Sequence, residues 1–207
     1  MRLEKVIWDR LKVNAYILVY EKSCIIIDCN KHVYDYIVLN DLNPIYIFIT
    51  HGHFDHINGI TKLRKTFPEL KVAASAYASE MFSDSSLNLS LYFGGDETIE
   101  DKADIILNHE DKFNIFDRQL ICYLTPGHTM GCTIFHIGNM LFTGDTVLYN
   151  MRTPLNLPDS SKERFKKSID FISSNFHDNT MIYSGHGNCF LKSDWAIEKS
   201  LGKRFDI

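Results

Sequence analysis

The chain has 207 residues, of which 45% are hydrophobic and 13% aromatic, and this composition is typical of a single globular domain spanning residues 1–207. The net charge of −4 provides no basic field for nucleic acid, so we expect a small-molecule substrate and no nucleic-acid partner. No stretch approaches the ~20 apolar residues of a membrane helix, and no secretory signal pattern is seen at the start. The five cysteines form no C-x-x-C pair, which favours free thiols in a reducing, cytoplasmic compartment.

The first part of the chain predicts strands that alternate with helices. Apolar, β-rich runs predict strands at 14–20, 24–27, 45–49 and 72–74. Helical spacing predicts helices at 30–40, 57–67 and 76–82, the second of them stopped by Pro68. The polar, glycine-containing residues 83–98 predict a loop.

Strand patterns return over residues 104–143, and two helices are predicted after them. The first helix runs from Ser160 to Asn175, where Ser160 and Glu163 have the spacing of a capping box. The second begins at Ser193. Strands mixed with helices in this way indicate two sheets with helices packed outside.

A dense group of metal-capable side chains follows the strand at 45–49. His51, His53, Asp55 and His56 fall within six positions. Imidazole and carboxylate are the usual ligands of zinc and similar divalent metals. Because polar groups at the end of an apolar run need partners, a metal ion explains all four residues at once.

Three further apolar runs end in the same way. Each run is followed by a small or turn residue and then by His128, Asp145 or His186. Ligand sites in layered α/β proteins gather beyond the carboxyl ends of strands. We therefore interpret the four strand ends as sources of one set of metal ligands.

These residues resemble the motifs of the metallo-β-lactamase superfamily. The resemblance rests on four segments that span most of the chain: His51-x-His53-x-Asp55-His56, Gly127-His128-Thr129-x-Gly131, Gly144-Asp145-Thr146 and Gly185-His186-Gly187. It implies an α/β fold with two mixed sheets and helices outside, the αββα sandwich, and a dinuclear metal site.

The resemblance also implies which residue would bind which ion. His51, His53 and His128 would bind the first metal, Asp55, His56 and His186 the second, and Asp145 would bridge them. The two divalent ions are expected to be zinc, with iron or manganese as alternatives. A hydroxide that bridges the metals would attack the substrate, and Asp55 would orient it or pass a proton to the leaving group.

Within the superfamily the chain is most similar to small glyoxalase II-like hydrolases, which cleave thioesters. Asn88-Leu89-Ser90 resembles that group. Only 21 residues follow His186, so the C-terminal helical extension that binds glutathione in larger members is missing from this sequence. We therefore expect a metallo-hydrolase of a small acyl substrate, a thioester in preference to a lactone.

Two other functions remain open from the sequence. A mononuclear iron persulfide dioxygenase resembles the same motifs, with Asp145 completing one iron site. A non-catalytic metal-binding module on the same fold is the third hypothesis. β-Lactamase activity and RNA processing are weaker interpretations, because the chain lacks a signal peptide pattern and an obvious RNA-binding arm.

Three residues after Asp145 are the candidates for substrate contact. Tyr149, Asn150 and Arg152 follow the bridging aspartate and are expected at the rim of the site. The Arg152 guanidinium suits a substrate carboxylate.

Overall fold

The apolar runs of the N-terminal half form a mixed sheet in the computed structural model, which describes residues 1–93 and 97–200. Strand order follows chain order. The first three strands pair antiparallel, and the third to the sixth pair parallel. The strands are β1 (Arg2–Trp8), β2 (Val13–Tyr20), β3 (Ser23–Ile27), β4 (Asn43–Phe48), β5 (Lys71–Ser75) and β6 (Ile105–Leu107). With their helices they make a first unit, Met1–Leu107.

Helices in this unit follow the strands and pack on the sheet through small and branched side chains. Val33, Ile60 and Leu63 are fully buried in the same apolar cluster as Ile17 and Ile47 of the sheet. Because strand residues on both faces are buried, β2 to β4 are rich in isoleucine and valine. The helices are α1 (Val33–Leu39), α2 (Phe54–Ile57), α3 (Ile60–Thr66), α4 (Ala76–Met81) and α5 (Ser90–Phe93).

Two predictions for this unit were wrong in detail. The helix expected at 57–67 begins later, at Ile60, because the chain turns at Gly59 to approach a neighbouring segment. The Gly59 N–H donates to the Cys29 carbonyl at 2.9 Å, and a Cβ at Gly59 would lie 2.5 Å from the Asn30 carbonyl oxygen. The loop expected at 83–98 contains α5, whose start is held by the Asn88 side chain. Residues 94–96 of that loop lie outside the described part of the chain.

The second unit begins at Asn108 and contains the second mixed sheet. Its order is also sequential, and every neighbouring pair is antiparallel except β10 and β11, which are parallel. The strands are β7 (Lys112–Ile115), β8 (Arg118–Leu124), β9 (Thr133–Ile137), β10 (Met140–Gly144), β11 (Met181–Ser184) and β12 (Phe190–Leu191).

Helix α6 (Lys162–Asn175) packs on this sheet, and Phe165, Ile169 and Ile172 form its buried stripe. The predicted capping box was wrong by one residue. Ser161 is the N-cap, and its hydroxyl accepts from the Arg164 N–H at 3.3 Å. Ser160 does not cap the helix, because its hydroxyl donates to the His128 carbonyl at 3.0 Å.

The C-terminal helix was also predicted to begin too early. A 3₁₀ turn covers Lys192–Asp194, and α7 covers Ile197–Ser200. Trp195 lies between them, buried, with its indole N–H donating to the Ser200 hydroxyl at 2.9 Å. The buried indole thus separates two short helical turns where one helix was expected.

Both units therefore contain a mixed sheet with helices, which confirms the predicted α/β class and its two mixed sheets. The single domain over residues 1–207 stays a prediction. Within residues 1–93 and 97–200, every helix is too short or too polar to span a bilayer.

Candidate metal ligands in the two units

Strand β4 delivers the first group of candidate ligands. His51 and His53 follow its end, His53 in extended backbone, and helix α2 then carries Asp55 and His56. All four side chains are buried. The rings of His51 and His56 lie 4.2 Å apart, and His56 Nε2 is 3.8 Å from the Asp55 carboxylate. The structure thus brings together the four residues of this unit that the sequence predicted.

A fifth residue, Asp28, orients this group and was not predicted. Its carboxylate accepts from His56 Nδ1 at 2.9 Å and from the Thr50 hydroxyl and N–H, both at 2.8 Å. Because Nδ1 donates to Asp28, the lone pair of His56 is on Nε2, which is how carboxylates orient metal-binding histidines. In the sequence, the position of Asp28 directly after the apolar run at 24–27 could have indicated that it belongs to the site.

Thr50 fixes the tautomer of His51 in the same way. The Thr50 hydroxyl has one proton, which it donates to Asp28, so it accepts from His51 Nδ1 at 3.1 Å. The lone pair of His51 is then on Nε2, which lies 2.9 Å from His53 Nδ1. Two imidazole nitrogens at this distance share either a proton or a cation. This donor pair therefore fits a bound metal ion.

The loop that resembles glyoxalase II supports the same group. The Asn88 carbonyl accepts from the Phe54 N–H at 2.9 Å, immediately after His53. The Asn88 side chain in turn donates to the Thr98 carbonyl at 2.7 Å. Asn88 thus links the loop to the turn that carries His53.

Three strand ends deliver the second group, in the second unit. His128 follows β8, Asp145 follows β10 and His186 follows β11. The Asp145 Oδ2 atom lies 3.7 Å from His128 Nε2 and 3.5 Å from His186 Nε2. Two ligands of one tetrahedral zinc ion, each at about 2.0–2.1 Å, are separated by about 3.3 Å. One carboxylate oxygen therefore lies near ligand–ligand distance from two imidazole nitrogens, which suits binding of a metal ion.

Backbone groups of a nearby segment orient this second group. His128 Nδ1 donates to the Pro154 carbonyl at 2.9 Å, which leaves Nε2 as its lone pair. The Thr153 hydroxyl donates to the Asp145 carbonyl at 2.9 Å. The sequence did not predict the supporting roles of Thr153 and Pro154. A hydrogen bond to a backbone carbonyl does not depend on residue type, so no sequence pattern indicates it.

Gly127 explains how the end of β8 is held against helix α6. Its φ is +151°, and a Cβ there would overlap the backbone of Phe165. The Gly127 carbonyl accepts from the Ser161 N–H at 2.8 Å. Glycine at this position lets the segment before His128 lie directly on the helix.

The three predicted substrate residues have different environments. Tyr149 is half-buried, with its ring 4.9 Å from that of Phe190. Asn150 is exposed in left-handed backbone at φ +53°, and Arg152 is exposed. Their contacts with substrate stay predictions.

Histidine and aspartate side chains in this chain are positioned to bind metal ions. The donor set of imidazole nitrogens and carboxylate oxygens suits zinc, iron and manganese, and the tautomers fixed by Asp28 and Pro154 suit coordination through Nε2.

Comparison with known proteins gives a family match over most of the chain. Residues 8–186 match the profile of the metallo-beta-lactamase superfamily. The chain is 27% identical to a probable metallo-hydrolase, YqgX, of Bacillus subtilis, over 87% of this chain and 90% of that protein. It is also 27% identical to the hydroxyacylglutathione hydrolase of Buchnera aphidicola subsp. Baizongia pistaciae, over 95% of this chain and 84% of that protein.

A solved structure shares the fold. The crystal structure of BLEG-1 B3 metallo-beta-lactamase matches with a TM-score of 0.86 and 24% identity, covering 93% of this chain and 95% of that one. At this identity the likeness shows the fold alone.

Proposed function

Because the chain belongs to the metallo-beta-lactamase superfamily, we propose that it is a metal-dependent hydrolase of a small acyl compound, and that the substrate is a thioester. The hydroxyacylglutathione hydrolase relative supports the thioester, since the similarity extends over 84% of that protein's length. The single observation that carries the proposal is the position of Asp145, with one carboxylate oxygen near two imidazole nitrogens.

The metal ligands follow the assignment that the family resemblance implies. His51, His53 and His128 would hold one divalent ion, Asp55, His56 and His186 would hold the other, and Asp145 would be available to both. Zinc is the expected metal, and iron and manganese also suit these donors. When bound, such ions would lower the pKa of a water from about 15.7 towards 7, so that hydroxide is available at neutral pH, and would polarise the substrate carbonyl.

The residues of the chain supply orientation and proton transfer. Asp28 and Thr50 keep the imidazoles of His56 and His51 in one tautomer, and the Pro154 carbonyl does the same for His128. Asp55, whose buried carboxylate lies beside His56, takes the proton that the attacking water loses and passes it to the sulfur of the leaving thiolate as the C–S bond breaks. Because these supports are already in place, the ligands need no rearrangement before reaction.

The test is a substrate panel on metal-loaded protein. Thioesters are followed by release of free thiol, lactones by acid release, and a persulfide by oxygen consumption. We expect thiol release well above the metal-free rate, with lactones slower and no oxygen consumed. Oxygen consumption on the persulfide would favour the dioxygenase, and inactivity of the metal-loaded protein on the whole panel would favour the binding module.

Asp55→Asn is the informative variant for the catalytic role. It keeps the size of the side chain but removes its basicity, so we expect a fall in kcat of about 10²-fold or more. Metal content is measured in parallel, because a loss of kcat that only follows loss of metal would make Asp55 a ligand without a role in proton transfer.

A further inference from the structure

The backbone that leads from strand β8 to His128 lies on helix α6, and this contact has no role in the function proposed so far. Three successive carbonyls, those of residues 126–128, each accept a hydrogen bond from a serine. The donors are the Ser168 hydroxyl for Pro126 and the Ser161 N–H for Gly127, both at 2.8 Å, and the Ser160 hydroxyl for His128 at 3.0 Å. The stretch 160–168 therefore holds all three carbonyls of this segment.

The three serines have fixed places at the start of helix α6. Ser161 is the N-cap, Ser160 precedes it, and Ser168 lies about two helical turns after it. The helix is anchored in the apolar core of its unit by Phe165 and Ile169, which are both buried. The segment before His128 is therefore attached to the core of the unit through the helix.

The hydroxyls of Ser160 and Ser168 both act as donors to the segment. The Ser160 oxygen accepts from the Leu157 N–H at 3.2 Å, and its one proton goes to the His128 carbonyl. Ser168 is buried, and its hydroxyl proton goes to the Pro126 carbonyl. Two side chains thus supply hydrogen bonds that a substitution can remove, whereas the Ser161 N–H remains in any variant.

The backbone position and the ring orientation of His128 are fixed by different groups. The Pro154 carbonyl accepts from His128 Nδ1 at 2.9 Å and so orients the ring. The two serine hydroxyls hold the backbone from which the ring projects. A metal ligand has to be held within about 0.5 Å of its working position, so both kinds of contact contribute to the placement of Nε2.

We propose that Ser160 and Ser168 are positioning residues that hold His128 in place for the metal ion it would bind. The proposal rests on the proposed function, because it concerns one ligand of that metal centre. Without either hydroxyl, a carbonyl of the segment loses its donor and the segment is held less firmly on α6. The imidazole of His128 is then in its binding position for a smaller fraction of the time, and the affinity for its metal ion falls by that fraction.

The test is zinc affinity, measured by competition with a chelator on protein that has been stripped of metal and reloaded with zinc alone. We expect Ser160→Ala and Ser168→Ala each to weaken the binding of one zinc ion about 2- to 10-fold, which is the effect of one hydrogen bond between neutral groups. We expect the double variant to lose about 10-fold or more, since the two hydroxyls hold the same segment. The affinity for the other zinc ion should stay within twofold, because His56 is oriented by Asp28.

Matched substitutions separate the hydrogen bond from the shape of the side chain. Ser160 is only partly buried, so Ser160→Thr retains the hydroxyl and should keep the wild-type affinity. Ser160→Val has nearly the same shape as Ser160→Thr but no hydroxyl, and it should weaken zinc binding as Ser160→Ala does. Ser174→Ala is the control, an exposed serine of the same helix that should bind zinc as the wild type does.

The outcomes separate this inference from a purely structural role and from the proposed function. Unchanged zinc affinity in both alanine variants, or equal losses in Ser160→Thr and Ser160→Val, would overturn the inference. Urea unfolding of metal-free protein is measured in parallel, and lower stability without a change in zinc affinity would also overturn it. Zinc binding that depends on both hydroxyls, in a protein that releases no thiol from any thioester, would support the positioning role and refute the hydrolase.

Discussion

The two units orient their histidines by different means. In the first unit a buried carboxylate and hydroxyl, from Asp28 and Thr50, hold the imidazoles of His56 and His51. In the second unit the partner of His128 is the backbone carbonyl of Pro154. A side-chain support can be removed by substitution, whereas a backbone support depends on the path of the chain. The first group should therefore be sensitive to single residues and the second to the conformation of its loop.

The largest effect should come from Asp145, whose carboxylate lies close to the imidazoles of both His128 and His186. We expect Asp145→Ala to lose bound metal and to reduce turnover by about 10³-fold or more, because metal ions contribute several kcal/mol to transition-state stabilisation. Elemental analysis and kcat are measured together, and circular dichroism verifies the fold. Asp117→Ala is the control, an exposed aspartate of the same unit. Full activity in Asp145→Ala would refute the site.

The second prediction compares the two kinds of support directly. Asp28→Asn should weaken metal binding about 10- to 100-fold, as loss of a carboxylate behind a metal-binding histidine does. Asparagine tolerates the left-handed backbone of residue 28, where φ is +59°, so the fold is retained. Pro154→Ala keeps its carbonyl and should change metal affinity less than twofold. Competition with a chelator gives both values, and equal effects would contradict the distinction.

The smallest effect concerns Glu100, a buried acid of the first unit. It is compared with Glu163, an exposed acid of the second unit. Burial raises the pKa of Glu100 to about 7, although the Thr61 hydroxyl and nearby Arg64 act to lower it. The pKa of Glu100 is thus higher in the folded chain than the ordinary value of 4.5. The folded chain therefore has its full stability with respect to this carboxyl at and below about pH 4.5, and it loses stability as the pH rises to about 7.

We therefore expect Glu100→Gln to increase the free energy of unfolding at pH 8 by about 1–3 kcal/mol relative to the wild type, and much less at pH 4.5. Urea unfolding of metal-free protein at the two pH values measures this difference. Glu163→Gln is the control, because Glu163 is exposed and its pKa is lowered by Lys167. A gain that does not depend on pH would show that Glu100 is ionised throughout.

The local part of the fold was predictable from the sequence, because an apolar run and the turn after it are local signals. Strands β3, β4 and β5 and helices α1 and α4 fall where those signals placed them. The errors arose where a distant segment decides the local structure. Helix α3 begins only after Gly59 because Gly59 contacts the chain at Asn30, and Ser160 leaves the N-cap to Ser161 because its hydroxyl bonds to His128.

The same distinction applies to the candidate site. The seven candidate ligands could be named because each follows a strand end. Their supports could not, because Asp28 lies 28 residues from His56 and Pro154 lies 26 residues from His128. Such pairs are set by the path of the chain.

The most direct test of the central claim is the number of metal ions bound per chain, measured by elemental analysis on protein purified without added metal. Two equivalents of divalent metal in the wild type, reduced to less than one in Asp145→Ala, are the predicted result. A wild type that folds but binds no metal, or an Asp145→Ala variant that keeps two equivalents, would contradict a dinuclear centre built on these residues.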